Sequence, residues 1–184
     1  MRLKREDSAL LVIDIQRKLA PHIAGHHEII RRADALMRAA ALFGVPRLLT
    51  EHCPNQIGAV IEPLRSQFEP GEIFEKTAFS ATDHPEFVER VRATGRRQVV
   101  MTGMEAHVCV LQAALGLRQF GFQVFVVADA IGSRGVRQFD RELALRRMEQ
   151  AGCGLATTET VLFEWTGYGT DAGFRDVLTL VKSL

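Results

Sequence analysis

Short apolar runs alternate along the chain with longer segments whose apolar residues recur every three or four positions, the pattern of strands threaded between helices. Ala9 to Ile15, Arg47 to Thr50, Glu72 to Glu75, Gln98 to Thr102, Gln123 to Ala128 and Gly154 to Thr157 read as strands. Between the first two, Glu28 to Phe43 places Ile29, Ala33, Leu36, Ala40 and Phe43 on one helical face and stops at Gly44. A short helix is expected around Ile57 to Phe68, and another running to Gly95 with Asp83 as its cap and Pro85 in its first turn. Val108 to Leu117 is nearly all apolar and reads as a buried helix ended by Gly121. A further helix is capped by Asp140 and ends at Gly152, and one or two more close the chain. The alternation predicts a three-layer α/β/α sandwich, Rossmann-like, around a mainly parallel sheet of about six strands.

Composition narrows the class. At 184 residues and 47% hydrophobic content, the chain can bury a substantial core and is too short for two full domains, so one domain over residues 1–184 is expected. The 23 Lys and Arg are interleaved with 22 Asp and Glu, which leaves no basic stripe for nucleic acid. The longest apolar stretches are strand-sized or broken by charge, and MRLKREDSALLVIDIQ lacks the features of a signal peptide. No membrane partner and a cytoplasmic location are therefore the expectations. Cys53, Cys109 and Cys153 are an odd number without paired spacing, which points to free thiols.

The chemistry lies at the ends of the apolar runs. Asp14 follows LLVI, Lys76 follows EIFE, and Cys109 follows the glycine that ends VVMTG by six residues. Ligands of open α/β sheets bind at the carboxyl ends of strands, so an acid, an amine and a thiol gathered there form a candidate reaction centre. Each also has a plain reading: Asp14 as a turn cap, Lys76 as a surface charge, Cys109 as a small buried hydrophobe between two valines. On the reactive reading, Cys109 sits in a first helical turn, where free N–H groups and a nearby ammonium raise its thiolate fraction. His22 and His26, four apart, could share a helix face, but Pro21 and Gly25 disturb that helix and both read as surface residues, while His107, two residues before Cys109, points elsewhere on a helix. Neither a GxGxxG nor a GxxxxGK[ST] loop is present, which argues against a nucleotide-binding module.

Three ordered motifs together carry a resemblance. ALLVIDIQ, EKTAFSA and GMEAHVCV resemble the acid, lysine and nucleophile motifs of the isochorismatase-like cysteine hydrolases, the superfamily that includes nicotinamidases and carbamoylsarcosine amidohydrolase. VVADAIGSR and TTETVLFEW resemble its later segments, so the likeness spans nearly the whole chain. The GxEAxxC variant, with TEH after the second strand, is most similar to the isochorismatase-domain-containing and YcaC-like branches. The resemblance implies Cys109 as nucleophile, Asp14 as the base that takes its proton, and Lys76 as the cation beside them. It implies hydrolysis of a C–N, amide-type bond of a small molecule through a thioester, and a homo-oligomer, dimer or higher. It further implies a non-proline cis peptide at Met104–Glu105 and an oxyanion hole from the Glu105 and Cys109 N–H groups. Gln16, His52, Phe79 and Ser80 flank the motifs and are expected to contact substrate.

Two departures from the family pattern matter. The loop that binds metal in nicotinamidases through an aspartate and two histidines reads TEHCPNQIGAVIEPL here, with His52 as its one histidine, so no metal and no cofactor are expected; Glu51, His52 and Cys53 could line the pocket. Glu105 stands where a threonine is usual, which sets this chain apart from typical nicotinamidase specificity. An idle interaction protein of the same fold and a hydrolase of an isochorismate-like vinyl ether are the alternative readings.

Overall fold

The computed structural model describes residues 2–184. Six strands, β1 (Ser8–Ile13), β2 (Arg47–His52), β3 (Ile73–Lys76), β4 (Gln98–Met104), β5 (Gln123–Gly132) and β6 (Gly154–Ala156), form one sheet in the order β3-β2-β1-β4-β5-β6, every pair parallel. Strand order reverses between β1 and β4, the position at which an open α/β sheet has its crevice. Both central strands are buried along their whole length, which is why SALLVI and QVVMTGM read as continuous apolar runs rather than alternations.

Alternation within β1 still decides which layer each side chain joins. Leu10 and Val12 enter a core under α1 (His26–Leu42), α6 (Thr158–Thr166) and α7 (Phe174–Lys182), with Leu36, Trp165 and Val177. Leu11 and Ile13 enter the opposite core, under α3 (Pro85–Ala93), α4 (Leu111–Gln119) and α5 (Gln138–Gln150), with Phe87, Leu117 and Met148. These two cores give the three-layer α/β/α arrangement that the sequence predicts.

Several local expectations are corrected. The helix expected near Ile57 to Phe68 is replaced by α2 (Pro54–Ile57), a single turn, and a 3-10 turn at Arg65–Gln67, because Gly58 and Pro63 interrupt the segment. Asp83 does not cap α3; it belongs to the 3-10 turn Ala81–Asp83, which Ser80 caps by accepting from the Thr82 N–H, and His84 precedes the helix. Asp140 lies inside the first turn of α5, and Arg137 holds the cap position. β5 runs beyond Ala128 to Gly132 because it bulges: Met101 pairs with Val126, but Gly103 already pairs with Ile131. The bulge turns Asp129 outward to accept from the N–H and hydroxyl of Thr158 at 2.8 and 3.0 Å, which fixes the start of α6.

Candidate active site

Asp14 is the first residue after β1 and has φ 51°, a left-handed conformation that aspartate tolerates better than most side chains. Its backbone N–H donates to the Thr50 carbonyl at 3.3 Å, and its Oδ1 accepts from the Thr50 hydroxyl at 2.6 Å. Lys76 ends β3, two strands away, a separation of about 10 Å at the usual strand spacing. Its four-carbon stem covers that separation and brings Nζ to Asp14 Oδ2 at 2.6 Å. The same ammonium donates to the carbonyls of Phe79 at 3.1 Å and Ala78 at 3.3 Å, so all three of its protons are used. Both side chains are fully buried, and such a pair is sustained by hydrogen bonds on every side.

Cys109 arrives from β4. Gly103 has φ 140° and approaches β1 so closely that a Cβ there would overlap the Ile13 carbonyl oxygen. Met104–Glu105 is a cis peptide, and Ala106–Val110 form a π turn before α4 begins at Leu111. Cys109 therefore occupies a π turn rather than the first turn of an α-helix. It is 6% exposed, and the charges of both Asp14 and Lys76 act on its thiol. Burial, with Asp14 next, pushes the thiol up to about 12, and Lys76 opposes the rise. The expectation of an enriched resting thiolate is thus corrected: desolvation and the neighbouring carboxylate outweigh the ammonium, and the thiol is neutral at pH 7.

The other expected residues divide. His52 stacks on Phe79 with ring centroids 5.2 Å apart, and Phe79 is 54% exposed, so this aromatic pair forms part of the rim beside Lys76. Burial and Lys76 lower the His52 pKa, leaving the ring neutral, and its buried Nδ1 has no hydrogen-bond partner among the described residues. Gln16 is different: its amide donates to the His52 and Gly58 carbonyls and accepts from the His52 N–H, so it clips the loop after β2 instead of facing a substrate. The Ser80 hydroxyl is likewise spent on Thr82. Glu51 accepts from the Val60 N–H at 2.7 Å and from Arg65, anchoring the irregular segment. A cleft of about 400 Å³ lies beside this region, with Cys53, Asn55, Glu75, Lys76 and His84 among its walls.

Thr50, Ser133 and Arg134 were not singled out by sequence. Thr50 holds one oxygen of Asp14. Ser133 Oγ lies 2.8 Å from His107 Nδ1, and Arg134 Nε donates to Glu105 Oε1 at 2.7 Å, so the segment after β5 holds the start of the nucleophile turn at two points. His107 points to that segment and not to Cys109. The available signal for Thr50 was its position at the end of the expected strand Arg47 to Thr50, the same kind of position that singled out Asp14.

Comparison with known proteins places this geometry. The family model described as the isochorismatase domain matches residues 8–160. This chain belongs to the isochorismatase family. Isochorismatase domain-containing protein 2 of Bos taurus is 36% identical over 177 residues, covering 95% of this chain and 83% of its own. Among solved structures, the ycaC gene product of Escherichia coli, described as an octameric hydrolase of unknown specificity, superposes with a TM-score of 0.91 at 30% identity, over 99% of this chain and 90% of that one. A Caenorhabditis elegans protein described as MAR1 ribonuclease matches with a TM-score of 0.91 at 34% identity, over 99% and 93% of the two chains. The chain is thus an isochorismatase-like member of a hydrolase superfamily, with the six-stranded fold of its neighbours.

Proposed function

We propose that residues 1–184 form one cysteine hydrolase unit that cleaves a C–N bond of a small amide without a metal or cofactor, with Cys109 as nucleophile, Asp14 as base and acid, and Lys76 as the fixed cation. The observation that carries this reading is the buried contact of Lys76 Nζ with Asp14 Oδ2 at 2.6 Å, with the Cys109 thiol beside both groups. Nothing structural requires a lysine stem to cross β2 and end on a buried carboxylate; a paired charge beside a thiol is useful for proton transfer.

The steps follow from the charges. The thiol proton moves to Asp14 as sulfur bonds to the amide carbon. Once Asp14 is neutral, its contribution against the thiolate disappears and the ammonium of Lys76 remains, so the ion pair is exchanged for a thiolate beside a cation. The carbonyl oxygen takes up negative charge and is received by the Glu105 and Cys109 N–H groups across the turn. Asp14 returns its proton to the nitrogen as the C–N bond breaks, and ammonia or an amine leaves. Water then attacks the thioester with Asp14 as base, the C–S bond breaks, and the carboxylic acid departs with the thiol restored. His52 and Phe79 line the entrance and contact the substrate.

Burial of the reacting groups favours a small substrate. The ribonuclease description attached to the nematode protein adds RNA to the substrates to be assayed, although a formal charge of +1 with no basic stripe gives a polynucleotide little to bind. Three free thiols suit a reducing cytoplasm. Self-association is proposed as well, as in the octameric neighbour.

The test is ammonia release from a panel of small primary amides by wild type, Cys109→Ala and Asp14→Asn, each with its fold verified by circular dichroism. Turnover is expected in wild type and a loss of at least about 10³-fold in each variant. Equal turnover in Cys109→Ala would remove the nucleophile from this reading.

A further inference from the structure

α5 is apolar on two opposite sides. At about 100° per residue, Ala144 and Met148 lie about 140° and 180° around the helix from Phe139, whereas Leu143 lies about 40° from it. Ala144 and Met148 are buried against the sheet. Phe139 is 74% exposed and Leu143 46%, and Val136, just before the helix, is 88% exposed. An amphipathic surface helix has one apolar stripe, and a second stripe is a face that another surface covers.

The charges beside this outer stripe say what covers it. Asp140 and Arg147 lie on one flank, and their midpoint in sequence falls between Leu143 and Ala144. Glu142 and Arg146 lie on the other flank, with their midpoint at Ala144. Two copies of α5 packed antiparallel across a two-fold axis near Leu143 therefore set Asp140 against Arg147 of the second copy, and Glu142 against Arg146, on both flanks at once. A parallel pairing would set like charges together. Among the described residues, Glu142, Arg146 and Arg147 have no ion-pair partner within the chain, and Asp140 has only Arg137 at 3.7 Å.

We propose that the outer face of α5 is an isologous interface with a second copy of this chain, Phe139 and Leu143 at its centre and the two charge pairs at its rim. This rests on the self-association put forward above and assigns it a surface. The segment that leads into α5 holds Glu105 and His107 through Arg134 and Ser133, so the interface abuts the support of the nucleophile turn.

The test is light scattering coupled to size exclusion, with sedimentation equilibrium on the full chain. Wild type is expected to assemble, and Leu143→Asp, with an unchanged circular dichroism spectrum, to halve the assembled mass or raise the dissociation constant at least about 30-fold. Asp140→Arg and Arg147→Glu are each expected to weaken assembly about tenfold, and the double variant D140R/R147E to restore it, since each copy then offers the reversed pair. An assembled wild type whose mass Leu143→Asp leaves unchanged would overturn the face while self-association stood. A monomeric wild type would overturn both. Failure of the double variant to recover assembly would overturn the antiparallel pairing.

Discussion

Replacing Lys76 with methionine isolates the energetic side of the trio. The substitution keeps a long apolar stem but removes three hydrogen bonds, to Asp14, Ala78 and Phe79, and strands a carboxylate that is fully buried. Breaking a buried ion pair from one side costs about 3–5 kcal/mol, because the surviving charge is left without a counterion. Asp14→Asn is expected to cost a comparable amount by stranding the ammonium, although asparagine still accepts from Thr50 and tolerates the positive φ. The double variant carries neither charge, so its cost should fall below the sum of the singles by about 2 kcal/mol or more. Urea unfolding at pH 7, followed by far-UV circular dichroism, reads all four corners of this cycle, with equal m-values as the condition for comparing them. The coupling should persist in high salt, because a pair sealed from solvent is screened little. Additivity within about 0.5 kcal/mol, or a Lys76→Met cost below about 1 kcal/mol, would refute the buried-pair reasoning.

Alkylation of Cys109 by iodoacetamide should rise about tenfold per pH unit from pH 7 to 10 with no plateau, since burial holds the thiol near 12; a plateau near 8.5, as for a free thiol, would contradict this. Asp14→Asn removes two contributions that raise the thiol, so the same profile should shift to lower pH even though turnover is lost, and a shift to higher pH would oppose the assigned sign. Gly103→Ala should destabilise the fold by about 2 kcal/mol or more, because the added methyl meets the Ile13 carbonyl at a left-handed φ; unchanged urea stability would show that β1 and β4 separate freely there.

The layer order and the meeting of the trio were legible because they rest on periodicity and on strand ends. LLVI and QVVMT are strand-length apolar runs within an alternating pattern, and Asp14, inside the expected strand Ala9 to Ile15, instead directly follows β1, which ends at Ile13. Finer features depended on groups far apart in sequence. The apolar run Val108 to Leu117 looks like one helix, but its first three residues belong to a π turn that follows the tight crossing at Gly103. The ionisation of Cys109 is reversed from expectation by its depth of burial, which the sequence does not carry, together with the Asp14 carboxylate, whose effect outweighs that of the Lys76 ammonium. Gln16 and Ser80 flank the motifs and so seemed to face a substrate, yet Gln16 is taken by His52 and Gly58 backbone groups that only the folded chain brings near, and Ser80 by Thr82 within its own turn. Arg134 was invisible for the same reason: its partner Glu105 is 29 residues away, joined to it across the bulge in β5.

The proposed hydrolysis requires that Cys109 become covalently acylated. It is tested most directly by acid-quenching the enzyme during turnover of an amide drawn from the panel and mapping the adduct by peptide mass spectrometry. One acyl group is expected, borne by the peptide that holds Cys109, labile to hydroxylamine and absent from Asp14→Asn. Turnover with Cys109 unmodified, or with the acyl group on Cys53 or Cys153, would contradict it.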